Sequence, residues 1–275
     1  MPRLAVIGHP VAHSRSPAMQ TAALAALGLG EEWSYAAIDV APDEFEARVR
    51  ALPEEGFAGA NVTVPHKHAA LAVADAPSDV AREIGAANTL VFAAGGIGAH
   101  NTDADGFLRS LPSSPAGRRA LVLGAGGAAR AIVWALVREG TEVEVWNRTP
   151  ERAEALCAEL GGTSVVAPGN SAPGAPVPLP DQADYGLIVN TSAAGLHGED
   201  PFSQLPLDRD RFAVGQAVVD MVYGGTPSPL LAAAEAAGAE TVDGLEILVQ
   251  QGALSLQIWT TLEPPLDVMR AAARG

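Results

Sequence analysis

The sequence predicts an α/β protein built as two domains, on three observations. Short apolar strand-like runs alternate with helical patterns from the N-terminus onward, the pattern of a largely parallel sheet flanked by helices. A second unit, beginning near Gly106, restarts that alternation with a strand, a glycine turn and a helix in direct succession. A long helical pattern over residues 245–262 follows the last strand and is expected to return to the first domain, closing the two around a cleft. The expected division is 1–104 with 243–275 in one domain and 105–242 in the other.

Leu4-Ala5-Val6-Ile7-Gly8 reads as a short apolar strand ending in glycine. Ser16-Pro17 then opens an alanine-rich helix to about Leu27, with serine as the N-cap and proline at the first helical position. Strands are expected at residues 33–40, 60–64 and 89–92, with a helix at 42–52 among the segments between them. In the second unit the order is a strand at 120–123, a helix at 128–139 and strands at 142–146, 185–190 and 217–220. Residues 168–180 hold five prolines and are expected to be a surface excursion without regular structure. No internal repeat is apparent.

The 275 residues carry 17 Lys and Arg against 32 Asp and Glu, a formal charge of −15. That balance argues against nucleic acid as a partner, because phosphate binding needs a net basic face. An anionic small molecule would have to be held by a few local cations and by helix N-termini, so each arginine or lysine in a ligand loop is informative. Cys157 is the single cysteine, which rules out an intramolecular disulfide. The first apolar run stops at Gly8-His9-Pro10, so no secretory signal is visible. The apolar stretch 121–137 is broken by glycines and Arg130, and reads as strand, turn and helix rather than a membrane span. A soluble cytoplasmic enzyme or binding protein is expected, as monomer or homodimer.

Leu121-Val122-Leu123-Gly124-Ala125-Gly126-Gly127-Ala128-Ala129-Arg130 is a strand, a GxGxxA turn and a helix start. The first glycine permits the tight turn, the second lets backbone approach a pyrophosphate, and Ala129 allows close helix–strand packing. The helix N-terminus stabilises the anion. This is the dinucleotide-binding pattern of a Rossmann-type domain. The next strand ends Val145-Trp146-Asn147-Arg148-Thr149, lacking the acid that accepts a ribose hydroxyl in NAD enzymes. A guanidinium there suits a 2′-phosphate, so NADP is favoured over NAD. The plainer reading of Arg148 is a solvated residue at a helix start.

Three polar clusters follow strands of the first domain: His13-Ser14-Arg15-Ser16-Pro17; Asn61-Val62-Thr63-Val64-Pro65-His66-Lys67; and Asn88-Thr89 with Asn101-Thr102-Asp103. Grouped hydroxyls and amides suit a polyhydroxylated carboxylate. Lys67 and Asp103 supply the ionisable pair that a ketone/alcohol redox reaction requires, since the oxygen gains or loses a proton as hydride moves. Taken singly, Ser16 reads as a cap, Asn88 as a turn former and Lys67 as surface charge. His66 and His68, separated by Lys67 and without a Cys/His cluster, read as solvated or turn histidines rather than metal ligands. His13 is expected to order the serine loop, and Trp259 to pack.

Together these segments resemble the shikimate dehydrogenase family. The resemblance continues through Gly85-Ala86-Ala87-Asn88-Thr89-Leu90, Asn190-Thr191-Ser192, Asp220-Met221-Val222-Tyr223, Asp243-Gly244-Leu245-Glu246 and Gln250-Gln251-Gly252-Ala253, nearly the whole chain. It implies reversible, NADP-dependent reduction of 3-dehydroshikimate to shikimate, in chorismate and aromatic amino-acid biosynthesis. By that resemblance Ser14 and Ser16 bind the substrate carboxylate with Tyr223 nearby, and Thr63, Asn88, Asp103 and Gln251 hold the ring hydroxyls. Lys67 is the catalytic acid/base and Asp103 its partner. Gly124, Ala125, Gly126, Gly127 and Ala128 cradle the pyrophosphate. Asn147, Arg148, Thr149 and Arg152 surround the adenosine phosphate, Met221 and Gly244 lie beside the nicotinamide, and Asp79 matches a position sometimes assigned to cofactor contact.

The chain departs from the family pattern at Gln20-Thr21, where His-Asn is common, and in the proline-rich 168–180 stretch. Other readings are a quinate/shikimate dehydrogenase with broader substrate or NAD use, and a folate-linked dehydrogenase with a catalytic lysine. A non-catalytic NADPH-sensing regulator is the remaining one. The last would need neither Lys67 nor Asp103.

Overall fold

The computed structural model describes residues 1–166, 177–178, 180–224 and 228–275, with the backbone alone at 177 and 178. Two compact units emerge, Met1–Phe107 with Leu248–Gly275, and Leu108–Ile247.

The first unit runs β1 (Arg3–Gly8), α1 (Ser16–Ala26), β2 (Ser34–Asp39), α2 (Phe45–Ala51), β3 (Phe57–Val62), α3 (Lys67–Ala72), β4 (Ala76–Pro77) and α4 (Asp79–Ile84). It continues with β5 (Thr89–Ala93), β6 (Gly96–His100) and α5 (Asp103–Ser110), within which the unit ends. Its six-stranded sheet has the order β2-β1-β3-β5-β6-β4. β1 pairs parallel with β2 and β3, and β4 with β6; β5 runs antiparallel to both β3 and β6. Ile7, Phe45, Val49, Leu52 and Leu90 are fully or almost fully buried in its core. Because β1 and β3 are parallel, the loops that leave their C-terminal ends emerge on one side. The cluster at 13–17 and the cluster at 61–67 therefore share an edge of the sheet.

The expected N-cap of α1 shifts by one residue. Arg15 occupies the cap with helical backbone and no side-chain cap bond, and Ser16-Pro17 fill the first two helical positions. Proline is tolerated there because the first N–H groups of a helix have no intrahelical acceptor. The Ser16 hydroxyl is therefore not engaged in capping.

The second unit contains β7 (Arg119–Leu123), α6 (Gly127–Arg138), β8 (Glu142–Trp146), α7 (Pro150–Leu160), β9 (Thr163–Val166), β10 (Val177–Pro178), β11 (Leu187–Asn190), β12 (Ala217–Asp220), α8 (Pro229–Ala236) and β13 (Glu240–Asp243). Its sheet, ordered β10-β9-β8-β7-β11-β12-β13, is parallel at every pairing. The central strands are continuous apolar runs, as burial on both faces demands. Most of the proline-rich 168–180 stretch lies outside the described residues. Val177–Pro178 within it pairs with β9, so the expectation of no regular structure fails there. A proline is accommodated because β10 is an edge strand.

The chain closes with α9 (Gly244–Thr260) and α10 (Leu266–Arg274), which from Leu248 onward belong to the first unit. Trp259 of α9 packs over Gly59 and donates from its indole N–H to the Leu90 carbonyl at 2.9 Å. Gln20, where the family pattern is broken, is fully buried and donates to the Gly252 carbonyl at 2.9 Å, tying α1 to α9. Among the described residues no helix is long and apolar enough to cross a membrane.

Gly106 sets the approach of α5 to α9, since a Cβ there would lie 2.7 Å from the Gln251 backbone nitrogen and 2.8 Å from its Cα. Backbone cannot yield as a side chain can. G106A is expected to lower unfolding stability by about 1–3 kcal/mol through overpacking. Urea denaturation checks this, and an unchanged midpoint would show that the helices separate freely.

Candidate active site

Lys67 and Asp103, 36 residues apart, meet in the first unit. Lys67 Nζ lies 2.6 Å from Asp103 Oδ2, with the two side chains 12% and 6% exposed. Local structure brings each to the meeting point. Lys67 opens α3, and its carbonyl accepts from the Ala87 N–H at 2.9 Å, which seats it beside residue 88. Asp103 opens α5, where Asn101 Oδ1 accepts from the Asp103 and Ala104 N–H groups at 3.0 and 3.3 Å. Asn101 thus satisfies first-turn donors that would otherwise lack partners.

Asn88 fixes the other carboxylate oxygen. Its Nδ2 lies 3.0 Å from Asp103 Oδ1, 3.1 Å from Gln251 Oε1 and 2.9 Å from Thr102 Oγ1. Its Oδ1 accepts from the Thr102 backbone N–H at 2.7 Å, and that backbone donor sets which way the amide points. Behind it, Ser255 of α9 is fully buried, contacting Asn61 Nδ2 at 2.9 Å, Thr89 Oγ1 at 2.8 Å and Thr102 Oγ1 at 3.1 Å. Tyr35 donates to Asn61 Oδ1 at 2.7 Å from the far side. These polar groups are buried, where each bond is costly to leave unmade.

The serine loop lies against the loop after β3. The His9 N–H donates to the Val64 carbonyl at 3.0 Å, and the Thr63 N–H to Ile7 at 2.8 Å. Ser16 is buried and Ser14 half-buried, with the Ser16 N–H donating to Ser14 Oγ at 3.2 Å. His13, expected to order this loop, is exposed and forms no side-chain hydrogen bond among the described residues. His9 and Asp39 hold the loop instead, at 2.6 Å. His66 is also corrected: it is 2% exposed, stacked on Phe45 and bonded to the Val40 carbonyl at 2.8 Å. It is not solvated, but it does close a turn, its N–H donating to the Thr63 carbonyl at 2.9 Å. His68 is exposed, 3.0 Å from the Gly85 carbonyl. Among the described residues no group of three or more His, Cys, Asp or Glu is placed to hold a metal.

In the second unit the Gly124–Ala128 turn fits a dinucleotide pyrophosphate. Gly124 has φ +119°, and a Cβ on it would strike Thr191 Oγ1 at 2.6 Å. Gly126, the N-cap of α6, is exposed with no side-chain cap bond, and a Cβ on it would meet nothing within 4 Å. The glycine therefore keeps clear a space that packing does not use, in front of uncapped N–H groups. Arg148, just after β8, and Arg152, in the first turn of α7, are exposed and form no ion pair among the described residues, so both guanidiniums are available to a phosphate. Asn147 Nδ2 donates to the Thr149 carbonyl at 2.8 Å. Arg130, by contrast, is paired with Glu159 at 2.5 Å. Asp79, 90% exposed, pairs with Arg82 at the start of α4.

Met221, Tyr223 and Gly244 follow the ends of β12 and β13. Gly244 packs so closely on the 220–221 backbone that a Cβ would lie 2.5 Å from the Met221 carbonyl oxygen. Asp220, 2% exposed, accepts from Asn190 Nδ2 at 2.9 Å, the Val222 N–H at 3.1 Å and Ser228 Oγ at 2.5 Å. Burial pushes its carboxyl above the usual carboxylate range, and those three donors act against the shift.

Asp39 and Ser255 were missed in the sequence, and Asp220, named there within a motif, was given no role. The available signals were a lone acid at a strand end, a small hydroxyl on an otherwise apolar helix face, and an acid closing a buried strand.

Breaking the Lys67–Asp103 pair from one side leaves a buried ammonium. D103A is expected to destabilise the protein by about 3–5 kcal/mol, and K67M/D103A by less than D103A alone. Denaturant titration of the three proteins checks this; a double mutant no better than D103A would mean the charges are solvated separately.

Three family models match the chain: shikimate dehydrogenase substrate binding domain at residues 6–90, shikimate/quinate 5-dehydrogenase at 109–170, and shikimate 5′-dehydrogenase C-terminal domain at 244–274. A relative named shikimate dehydrogenase (NADP+), from Acidiphilium cryptum, is 47% identical over 265 residues, 95% of this chain and 91% of that one. The crystal structure of shikimate 5-dehydrogenase from Thermus thermophilus in complex with NADP(H) and shikimate superposes with a TM-score of 0.86 at 42% identity, covering 100% of this chain and 99% of that one. Quinate dehydrogenase from Corynebacterium glutamicum in complex with NAD gives 0.84 at 29% identity, covering 98% of each chain.

Proposed function

We propose that this chain, which belongs to the shikimate dehydrogenase family, is an NADP-dependent oxidoreductase interconverting 3-dehydroshikimate and shikimate in aromatic amino-acid and chorismate biosynthesis. The observation that carries the reading is the buried Lys67–Asp103 pair, with Asn88 and Gln251 bonded to each other beside it.

NADPH, when bound, supplies the hydride that the ketone carbon accepts. Lys67, as ammonium, donates a hydrogen bond to the ketone oxygen and passes its proton from Nζ to that oxygen, leaving the alcohol and a neutral amine that regains a proton from water. Asp103 orients the ammonium and keeps it charged between turnovers. Proton transfer by a positioned group of this kind is worth ~10²–10⁴-fold. Asn88, Thr63, Gln251 and Asp103 hold the ring hydroxyls. Ser14 and Ser16 take the carboxylate through hydroxyls that no helix cap engages, with Tyr223 as a further donor. Gly124 to Ala128 hold the pyrophosphate, and Asn147, Arg148, Thr149 and Arg152 the adenosine phosphate. Met221 and Gly244 flank the nicotinamide, with Asp79 a further cofactor contact. The substrate domain is the chain's two ends, 1–104 and 243–275, and the cofactor domain 105–242. The −15 charge and single cysteine fit a small-molecule enzyme of the cytoplasm, working as monomer or homodimer without nucleic acid or membrane.

Quinate with NAD is the second reading, favoured by the likeness to the quinate dehydrogenase. Arg148 and Arg152, exposed and without an ion pair among the described residues, weigh against it, since NAD offers them no 2′-phosphate. The deciding experiment follows absorbance with shikimate and NADP+ at mildly alkaline pH, beside quinate and NAD+. Turnover is expected with the first pair at much higher kcat/KM. R148A is expected to raise KM for NADP+ at least ~10-fold while leaving KM for NAD+ unchanged, as loss of one charge-assisted phosphate contact requires. Quinate with NAD+ as the better pair would overturn the assignment.

A further inference from the structure

We infer that Asp39 is a positioning residue for recognition of the substrate carboxylate, acting through the serine loop without touching the substrate. The inference rests on the proposed function, which gives Ser14 and Ser16 the carboxylate.

Between β1 and α1 the chain makes a loop whose two flanks are held differently. On the β3 side it is held by backbone: Gly8 sits so close that a Cβ would lie 2.5 Å from Thr63 Cγ2 and 3.2 Å from the Val64 carbonyl oxygen. On the β2 side, the Gly8 carbonyl accepts from the Val40 N–H at 3.1 Å, and beyond that the Asp39 carboxylate is the side-chain anchor. One carboxylate oxygen lies 2.6 Å from His9 Nδ1, and the other accepts from the Val11 N–H at 3.1 Å. The contacts then pass stepwise to the serines. The Val11 carbonyl accepts from the Ser14 N–H at 3.0 Å, and Ser14 Oγ accepts from the Ser16 N–H at 3.2 Å. Val11 is itself buried, so the peptide that Asp39 grips is fixed by packing on one side and by charge on the other.

The grip is of the stronger kind, because one partner is ionised. His9 and the Val11 N–H hold the Asp39 carboxyl below the usual carboxylate range, His9 contributing most. Asp39 therefore carries its charge throughout the neutral range. An anion close to an anion-binding loop would repel the substrate if left without a partner, and the Asp39 carboxylate is turned to His9 Nδ1 and the Val11 N–H. Positioning and screening make opposite predictions for the isosteric amide. Asn keeps an oxygen for the Val11 N–H, and its NH₂ can donate to an unprotonated His9 ring.

The test compares D39A and D39N with the wild type in the shikimate/NADP+ assay. D39A is expected to raise KM for shikimate about 10-fold, with kcat within about twofold of wild type and KM for NADP+ unchanged. D39N is expected to recover most of that loss. D39S, a polar truncation suited to an exposed strand end, is the second variant should D39A not fold, and carries the same expectation. An unchanged KM in the truncated variant, a fall in kcat with KM unchanged, or a D39N no better than D39A would each overturn the inference. A wild type that turns over shikimate while D39A matches it sinks this inference alone. A wild type that does not turn over shikimate sinks the proposed function and this with it.

Discussion

A lysine and an aspartate buried together at the mouth of a sheet require everything around them to be in place. Two charges removed from water are tolerated only if their mutual attraction is supplemented by hydrogen bonds to the remaining lone pairs and protons. Here the second Asp103 oxygen is satisfied by Asn88, whose amide is oriented by the Thr102 backbone, and Thr102 is in turn bonded to Ser255 on the last long helix. Residues from α3, the turn before β5, α5 and α9 therefore converge on one ion pair. Gly106 lets two of those helices approach closely enough for Gln251 to reach Asn88.

The second unit solves a different problem with the same economy of parts. Its parallel strands point their C-terminal ends the same way, and in the turn after β7 Gly126 places no side chain over the start of α6. Thr191, at the end of the neighbouring β11, closes the turn from one side by donating to the Leu123 carbonyl at 2.9 Å. Arg148, just after the next strand, and Arg152, in α7, form no ion pair among the described residues, in a chain with almost twice as many acids as bases.

Much of this was legible before any coordinates. The strand at 142–146 agrees residue for residue with Glu142–Trp146, where valine alternates with glutamate, and 217–220 with Ala217–Asp220, a short apolar run closed by an acid. The glycine turn was legible because each glycine answers a separate steric demand. The short elements α3, α4 and β4 were not, since six residues or fewer show no period to detect. Ser16 was misread as a cap because Ser-Pro suits the position before a helix as well as its first turn. The supporting residues were hidden for a different reason. Asp39 meets a histidine 30 positions back, and Ser255 an asparagine 194 positions back, so their partners exist only once the sheet has formed. His66 looked solvent-facing ahead of Lys67 and His68, yet Phe45 covers it.

If the Lys67 amine is the group that exchanges a proton with the substrate oxygen, its truncation must be repairable by a free amine. The direct measurement is turnover of shikimate and NADP+ by K67A, with and without added methylamine. K67A is expected to lose at least ~10²-fold in kcat, and added methylamine to restore part of the loss in proportion to its concentration. Folded K67A that turns over at nearly the wild-type rate, indifferent to amine, would remove Lys67 from the chemistry.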